Sequence, residues 1–194
     1  PSPSTVAADK AAPAANPTPT PSEKLAGTQA AVPKEVGPAR VQGATVQIET
    51  DLVVAHLSTL GGDLRRLELK QHRDTLDKNK VFVLFDATAD HTYTAQAGLT
   101  GGKLPNHRTL YHADSNSYRL ADDSGQLEVR LRAPEVDGVR VTKVYRFRRG
   151  SYLIDVGFEV ENKSADVIQP YGYFQLVRDA KPPAGDSAMV PTFT

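Results

Sequence analysis

The sequence contains no cysteine and no tryptophan, and its charges cancel. Without cysteine the chain has no disulfide, thiolate zinc site or cysteine nucleophile, although this leaves the redox compartment undetermined. Lys plus Arg equal Asp plus Glu at 23 each, so we expect no nucleic-acid partner. No apolar run approaches the roughly 18 residues of a membrane helix. At 194 residues, one folded domain with a tail is the default expectation.

Aromatic residues are missing from residues 1–40, which hold 8 of the 14 prolines and 10 alanines. Such a segment buries too little apolar surface to offset its backbone entropy, and repeated proline favours extended conformations. We therefore predict a disordered, semi-rigid tether at 1–40 and a folded domain at 41–194. The alternative is a proline-rich ligand for a recognition domain, but no aromatic specificity residue lies near Pro17 to Pro21.

From Val46 onward, apolar residues recur mostly at every second position, which is the spacing of β-strands. Strands are predicted at 45–50, 52–59, 64–69, 81–85, 93–97, 117–120, 127–133, 139–149, 152–162 and 171–177. Gly61 and Gly62 supply a hairpin turn, and Gly172 is interpreted as a bulge in the last strand. Short connections without a helical pattern favour an all-β fold, an antiparallel sandwich.

The sequence from 139 to 162 predicts a hairpin together with its register. In the predicted register, the numbers of two paired residues sum to 301. On the buried face this register pairs Phe147 with Ile154, Tyr145 with Val156 and Val141 with Val160. The same register pairs opposite charges on the solvated face, as Arg146 with Asp155 and Arg140 with Glu161. A slip of one residue would move every apolar side chain to the wrong face. Gly150-Ser151 predicts a two-residue II′ turn with Gly150 in the first central position.

No recognisable catalytic or metal-binding pattern is present. The five histidines lie in different predicted elements, at His56, His72, His91, His107 and His112. A zinc site at His107 and His112 would need carboxylates such as Asp114 or Asp122 from elsewhere. The carboxylate pairs Asp122-Asp123 and Glu159 with Glu161 indicate a turn and an exposed hairpin face, rather than a glycosidase acid and base. We predict that the chain is not an enzyme and has no catalytic, cofactor-binding or metal-binding residue.

Basic and aromatic residues alternate in the predicted strand at 139–149, as they do in some nucleic-acid-binding strands. The basic residues are Arg140, Lys143, Arg146, Arg148 and Arg149. Tyr145 and Phe147 point away from Arg146 and Arg148, however, because successive side chains alternate between the two faces of a strand. The aromatic rings therefore cannot form a stacking platform beside these charges.

Two stretches resemble the large periplasmic domain of the YidC/Oxa1 family of membrane protein insertases, in its Gram-negative form. One runs from Ile48 through Gly61-Gly62 to Leu69, and the other runs from Lys143 to Asn162. Residues 96–99 and 173–178 also fit, so the resemblance covers 47–178. It implies a β-supersandwich similar to galactose mutarotase-like domains, on the periplasmic side of the inner membrane. The tail resembles the spacer after the family's first membrane helix.

The resemblance also implies a function. The parent protein is embedded in the inner membrane and inserts and folds membrane proteins, alone or with the Sec translocon. Its periplasmic domain is an accessory that contacts Sec components, and the insertion chemistry belongs to membrane helices, so no insertase site transfers to this chain. Because the chain stops at Thr194, before the family's remaining strands, the resemblance implies a sandwich incomplete at its C-terminus, with exposed apolar surface or an unpaired edge.

Two other functions stay open. A carbohydrate-binding or aldose-epimerase-like domain shares the family's fold, but sugar sites commonly need an exposed aromatic platform. Tryptophan is absent here, and most Tyr and Phe fit the buried stripe. A strand-borne histidine and glutamate in one cleft would favour that alternative. The third possibility is a purely structural envelope module or adhesin.

Overall fold

The structure, a computed structural model, describes residues 43–88 and 91–180, which form strands and loops without a helix. The strands are β1 (Thr45–Glu49), β2 (Val53–Ser58), β3 (Leu64–Arg73), β4 (Val81–Ala87), β5 (Thr92–Thr100), β6 (His112–Ala113), β7 (Ser117–Arg119), β8 (Gln126–Arg132), β9 (Val139–Arg148), β10 (Ile154–Asn162) and β11 (Tyr171–Arg178). In these ranges no helix has the length and hydropathy needed to cross a bilayer. The predicted all-β fold is confirmed, whereas the predicted tether lies outside the described residues.

Two sheets form the sandwich. The larger sheet has the order β11-β5-β4-β3-β2-β1-β7, and the smaller has the order β10-β9-β8-β6. Neighbours pair antiparallel except β1 and β7, which are parallel. Buried side chains from both sheets form one core, among them Val46, Ile48, Ala55, Leu57 and Leu67 from the larger sheet and Val129, Leu131, Tyr145 and Phe147 from the smaller. Burying each large apolar side chain contributes about 1.5–3 kcal/mol, so this interface stabilises the fold.

The double-glycine turn joins β2 to β3. Gly61 and Gly62 have φ angles of 77° and 60°, a left-handed conformation that costs glycine little because it has no Cβ. Beyond the turn the register shifts, because Leu57 pairs with Leu64 while His56 pairs with Arg66. Arg65 is therefore the extra residue of a β-bulge in β3.

The predicted hairpin register is confirmed. Phe147 pairs with Ile154, Tyr145 with Val156, Val141 with Val160, Arg146 with Asp155 and Arg140 with Glu161. One burial prediction is wrong: Val160 is 36% exposed, because β10 is an edge strand whose second half faces solvent.

The predicted two-residue II′ turn is also wrong. Five residues connect β9 to β10, and the Ser151 N–H donates to the Arg148 carbonyl, so Gly150 occupies the second central position with a φ of 69°. Contacts with distant loops explain the difference. The Gly150 N–H donates to Asp51 at 2.8 Å and the Arg149 N–H donates to the Gly125 carbonyl at 2.9 Å.

Gly172 does not form the predicted bulge. It pairs with Leu99 in a register that continues unbroken from Tyr171 to Arg178. Gly172 is an exposed position of the edge strand β11, so no side chain has to be packed there. A glycine can therefore occupy it without interrupting the hydrogen bonds between β11 and β5.

Ion pairs cover the outer face of the smaller sheet. Arg146 contacts Glu128 at 2.8 Å, Arg148 contacts Asp155 at 2.7 Å, and Arg130 contacts Glu159. Exposed pairs of this kind contribute only about 0–1 kcal/mol each. Their main consequence is electrostatic, because Arg140, Arg146 and Arg148 of the hairpin are neutralised by neighbouring carboxylates.

Candidate functional site

An apolar groove opens between the two sheets at their edge strands β10 and β11. Its volume is about 390 Å³. The lining side chains come from both sheets and are mostly aliphatic or aromatic: Leu64, Leu67, Leu84, Phe85, Ala95, Ala97, Tyr145, Tyr152, Leu153, Ile154, Val156, Phe174 and Leu176, together with Gln96 and Gln175. A recess of this size and composition suits an apolar side chain or segment.

The side chains around this groove are unusually exposed for their type. Phe174 is 65% exposed, Leu176 is 62% exposed and Leu153 is 60% exposed. Phe174 and Tyr171 are exceptions to the expectation that most aromatic residues lie in the buried stripe. Clustered exposed apolar side chains commonly mark an interaction site.

Both edges beside the groove are long. β10 has nine residues and β11 has eight, and each ends its sheet in the part of the chain that the structure describes. An edge strand presents unpaired N–H and C=O groups to which another extended segment can bond. Among the described residues, exposed apolar surface and an unpaired sheet edge are therefore both present, as expected.

A chain of polar side chains leads from the groove into the interior. The Gln175 amide donates to Gln96 at 2.8 Å, and Gln96 in turn donates to the Asp63 carboxylate at 2.7 Å. Asp63 directly follows the double-glycine turn and is buried. The groove therefore has one polar end that contacts a buried ionisable cluster.

Lys143 is the central residue of this cluster, and its exposure is 0%. Its Nζ donates to the carbonyls of Gly61 and Ala97, both at 3.0 Å. The neighbouring Tyr145 hydroxyl donates to the Gly62 carbonyl at 2.5 Å. These bonds tie the double-glycine turn and β5 to β9.

Sequence reasoning missed the burial of Lys143. Its charge groups it with the surface arginines of the same strand. The sequence did carry a signal for this burial. Side chains alternate between the two faces of β9, and Lys143 lies two residues from both Val141 and Tyr145, so it shares their buried face.

Burial determines the protonation of these groups. It lowers the pKa of Lys143 to about 8, although the negative charge of Asp63 opposes the shift. Burial likewise raises the pKa of the Asp63 carboxyl, against the opposing effects of Lys143 and the Gln96 hydrogen bond. Asp63 Oδ1 and the buried Tyr111 hydroxyl have no hydrogen-bond partner among the described residues.

Stability is expected to rise by about 2 kcal/mol between pH 8 and pH 10. Lys143 has a lower pKa folded, about 8, than its ordinary value of 10.5, so the unfolded chain binds more protons in this window and loses them as pH rises. Urea unfolding at several pH values measures the effect. The Lys143→Met variant should lack the rise, and the same slope in both proteins would contradict this assignment.

The histidines lie apart from one another. His107 Nδ1 is 2.6 Å from the Tyr173 hydroxyl, His91 Nδ1 is 3.3 Å from Asp179, and the His72 ring packs on Tyr152. Within 43–88 and 91–180, no group of three or more His, Asp or Glu side chains could hold a metal ion. In these ranges, carboxylates that a zinc site at His107 and His112 would need do not gather with them.

A second recess, the outer cleft, lies on the outer face of the larger sheet and has a volume of about 460 Å³. Its polar lining residues are Thr45, His56, Ser58, Arg65, Arg66 and Asp86. His56 and Asp86 thus line one cleft, but the glutamate expected beside a histidine in a sugar site is not among its lining residues. No Tyr, Phe or Trp lines it either, so the cleft lacks the aromatic platform of such a site.

Known proteins similar to this chain agree on one family. The sequence pattern of the YidC periplasmic domain matches residues 45–194. The membrane protein insertase YidC of Nitrosospira multiformis is 45% identical over 185 residues, which cover 91% of this chain and 32% of that protein. The YidC of Nitrosomonas europaea is 47% identical over 153 residues, covering 78% of this chain and 25% of that protein. The YidC of Dechloromonas aromatica is 44% identical over 184 residues, which cover 95% of this chain and 33% of that protein.

The chain spans about a quarter to a third of the length of these relatives. The match nevertheless includes every described strand, from β1 to β11. The chain therefore belongs to the YidC periplasmic domain family, and it is the periplasmic domain of an inner-membrane protein.

Proposed function

We propose that this domain is an accessory interaction module of a membrane protein insertase. It assists the insertion and folding of inner-membrane proteins, alone or with accessory components of the Sec translocon. Membership of the YidC periplasmic domain family supports this role. The observation that carries the proposal is the apolar groove between two long edge strands.

The groove suits an extended apolar segment of another polypeptide. Such a segment can bond to the free backbone groups of an edge strand while it buries alternate side chains in the groove. Phe174 and Leu176 are two residues apart on β11 and both line the groove, so they offer contacts at strand spacing. Nascent membrane proteins offer apolar segments of this kind, because their membrane spans consist of about 20 mostly apolar residues.

The proposed role involves no covalent chemistry. The buried ionisable groups Lys143 and Asp63 are bonded to backbone carbonyls and to Gln96, in the interior of the sandwich. Binding through apolar contacts and strand pairing needs no nucleophile, acid or metal.

Photocrosslinking in the full-length parent insertase tests the proposal. A photoreactive phenylalanine analogue in place of Phe174 should crosslink to a nascent inner-membrane protein or to a Sec accessory component. The same analogue at Arg132, on the ion-paired outer face of the smaller sheet, is the control and should not. Crosslinks confined to other segments of the insertase itself would show that the protein fills its own groove, and would reject the proposal.

A charge in the groove should reduce that crosslinking several-fold. Leu176→Asp brings a carboxylate into an apolar contact, where its desolvation is costly. The matched control is Val167→Asp, because Val167 is also exposed and apolar but does not line the groove. An equal loss in both variants would indicate a general effect of charge.

A further inference from the structure

The hydrogen-bond phase of β11 determines which of its backbone groups point to the open edge. The Asp179 N–H donates to the Thr92 carbonyl at 2.9 Å, in the same register that pairs the rest of β11 with β5. In an antiparallel pair every second residue bonds to its partner, and the residues between point their N–H and C=O groups away from it. The residues that point these groups to the open edge are Gly172, Phe174, Leu176 and Arg178. Phe174 and Leu176 also line the groove.

The other edge strand, β10, has the same arrangement. The Lys163 N–H donates to the Gly138 carbonyl at 2.9 Å, so the even-numbered residues of β10 point their backbone groups to the open edge. Ile154 and Val156 belong to this set, and their side chains line the groove. Residues that pair across two strands point to the same face. A strand added to either edge therefore directs every second side chain into the groove.

Charge distinguishes the two edges. The carboxylates Asp155, Glu159 and Glu161 lie on β10, each in an ion pair with an arginine of the same sheet. Charged side chains on an edge strand disfavour the addition of another strand, which would have to desolvate them. Strand β11 has no charged residue in 171–177. Of the two edges, β11 is therefore the one suited to accept a strand.

The polar end of the groove has a fixed hydrogen-bond direction. A carboxylate only accepts hydrogen bonds, so Gln96 presents its Nε2 to Asp63, at 2.7 Å, and its Oε1 to Gln175. Gln175 donates its Nε2 to that oxygen at 2.8 Å, which leaves its own Oε1 to accept from a further donor. Because Gln175 is exposed on β11, a neighbouring strand can supply this donor.

We propose that β11, and not β10, pairs with a membrane-spanning segment of a nascent inner-membrane protein before that segment enters the bilayer. An uncharged hydrogen-bond donor of the segment lies beside Gln175. This inference rests on the proposed function and names its partner and its pairing edge. A membrane span has about 20 mostly apolar residues, so it can cover all eight residues of β11 without placing a charge beside them.

Crosslinking from the photoreactive analogue at Phe174, in the full-length parent insertase with a ribosome-stalled inner-membrane protein as probe, tests the pairing edge. Gly172→Pro removes an outward N–H and places a ring on the edge, while the bonds from β11 to β5 remain. It should lower crosslinking about three- to tenfold, as expected for one or two lost hydrogen bonds. The matched control is Val160→Pro, which removes an outward N–H from β10 and should leave crosslinking unchanged.

A lysine at the same position tests the edge without a change to the backbone. A Cβ at Gly172 would meet only Phe174 Cε2, at 3.7 Å, so Gly172→Lys should fold and should lower crosslinking by a similar factor. Val160→Lys is its control, and urea unfolding verifies that the four variants are folded. An equal or larger loss from the Val160 variants, or crosslinks to a Sec accessory component alone, would overturn this inference and leave the proposed function standing. Absence of any crosslink from Phe174 to another protein would reject both.

Two stalled spans test the donor beside Gln175. A span with threonine at alternate positions should crosslink more strongly than an all-leucine span, because the threonine hydroxyl can donate to Gln175 Oε1. Gln175→Leu should remove this difference. A difference that persists in Gln175→Leu would overturn the assignment of Gln175.

Discussion

Replacing Lys143 with alanine is expected to lower the free energy of unfolding by about 3–5 kcal/mol, as measured by urea unfolding. The side chain is wholly buried, and its Nζ bonds to the Gly61 and Ala97 carbonyls. Its removal leaves both carbonyls without this donor and creates a cavity. It also removes the positive charge that favours the ionised form of buried Asp63.

Lys143→Met separates the volume of the side chain from its charge. Methionine retains most of the aliphatic stem but donates no hydrogen bond, so we expect a smaller loss of about 1–3 kcal/mol. A Lys143→Met protein at least as stable as the parent would show that the desolvation cost of the ammonium cancels its bonds. In that case the apolar stem alone would stabilise the sandwich.

Gly61→Ala is expected to cost about 3 kcal/mol. The φ angle at Gly61 is 77°, which strains a residue with a Cβ by roughly 1–2 kcal/mol. The new Cβ would also lie 2.5 Å from the His107 carbonyl oxygen and 2.7 Å from Asp63 Oδ1, so the turn or the loop must move. Such overpacking adds about 1–3 kcal/mol.

Gly150→Ala is the matched control for that substitution. Gly150 has a similar φ angle of 69°, but a Cβ there would meet no atom within 4 Å. We therefore expect a loss of about 1 kcal/mol, from backbone strain alone. Equal losses in the two variants, in urea unfolding, would contradict a clash at Gly61.

The register of β9 with β10 could be predicted because two independent patterns agreed. Apolar residues matched on one face, and opposite charges such as Arg146 and Asp155 matched on the other. The same alternation was sufficient to locate most strands along the sequence. It could not predict which strands pair with each other. Strand β11 pairs with β5, more than 70 positions earlier, and the local sequence contains no signal for a pairing over that distance.

The features that the sequence did not predict depend on tertiary contacts. The turn at Gly150 is shaped by Asp51, which is 99 residues away in sequence. The sequence could predict that apolar surface would be exposed, but not where the apolar groove lies. Its lining residues come from strands distant in sequence, such as β3 and β11. The outer cleft depends on the bulge at Arg65, and a bulge of one residue leaves no trace in an alternating pattern that continues on either side.

The edge position of strand β11 affects the dynamics of the domain. Among the described residues it ends the larger sheet, pairs as a strand with β5 alone and exposes most of its residues, while the Tyr173 hydroxyl also contacts His107. Because so few of its side chains enter the core, β11 can separate locally without global unfolding. Its amide protons should therefore exchange with solvent well before those of β9, and a segment bound along β11 would slow that exchange.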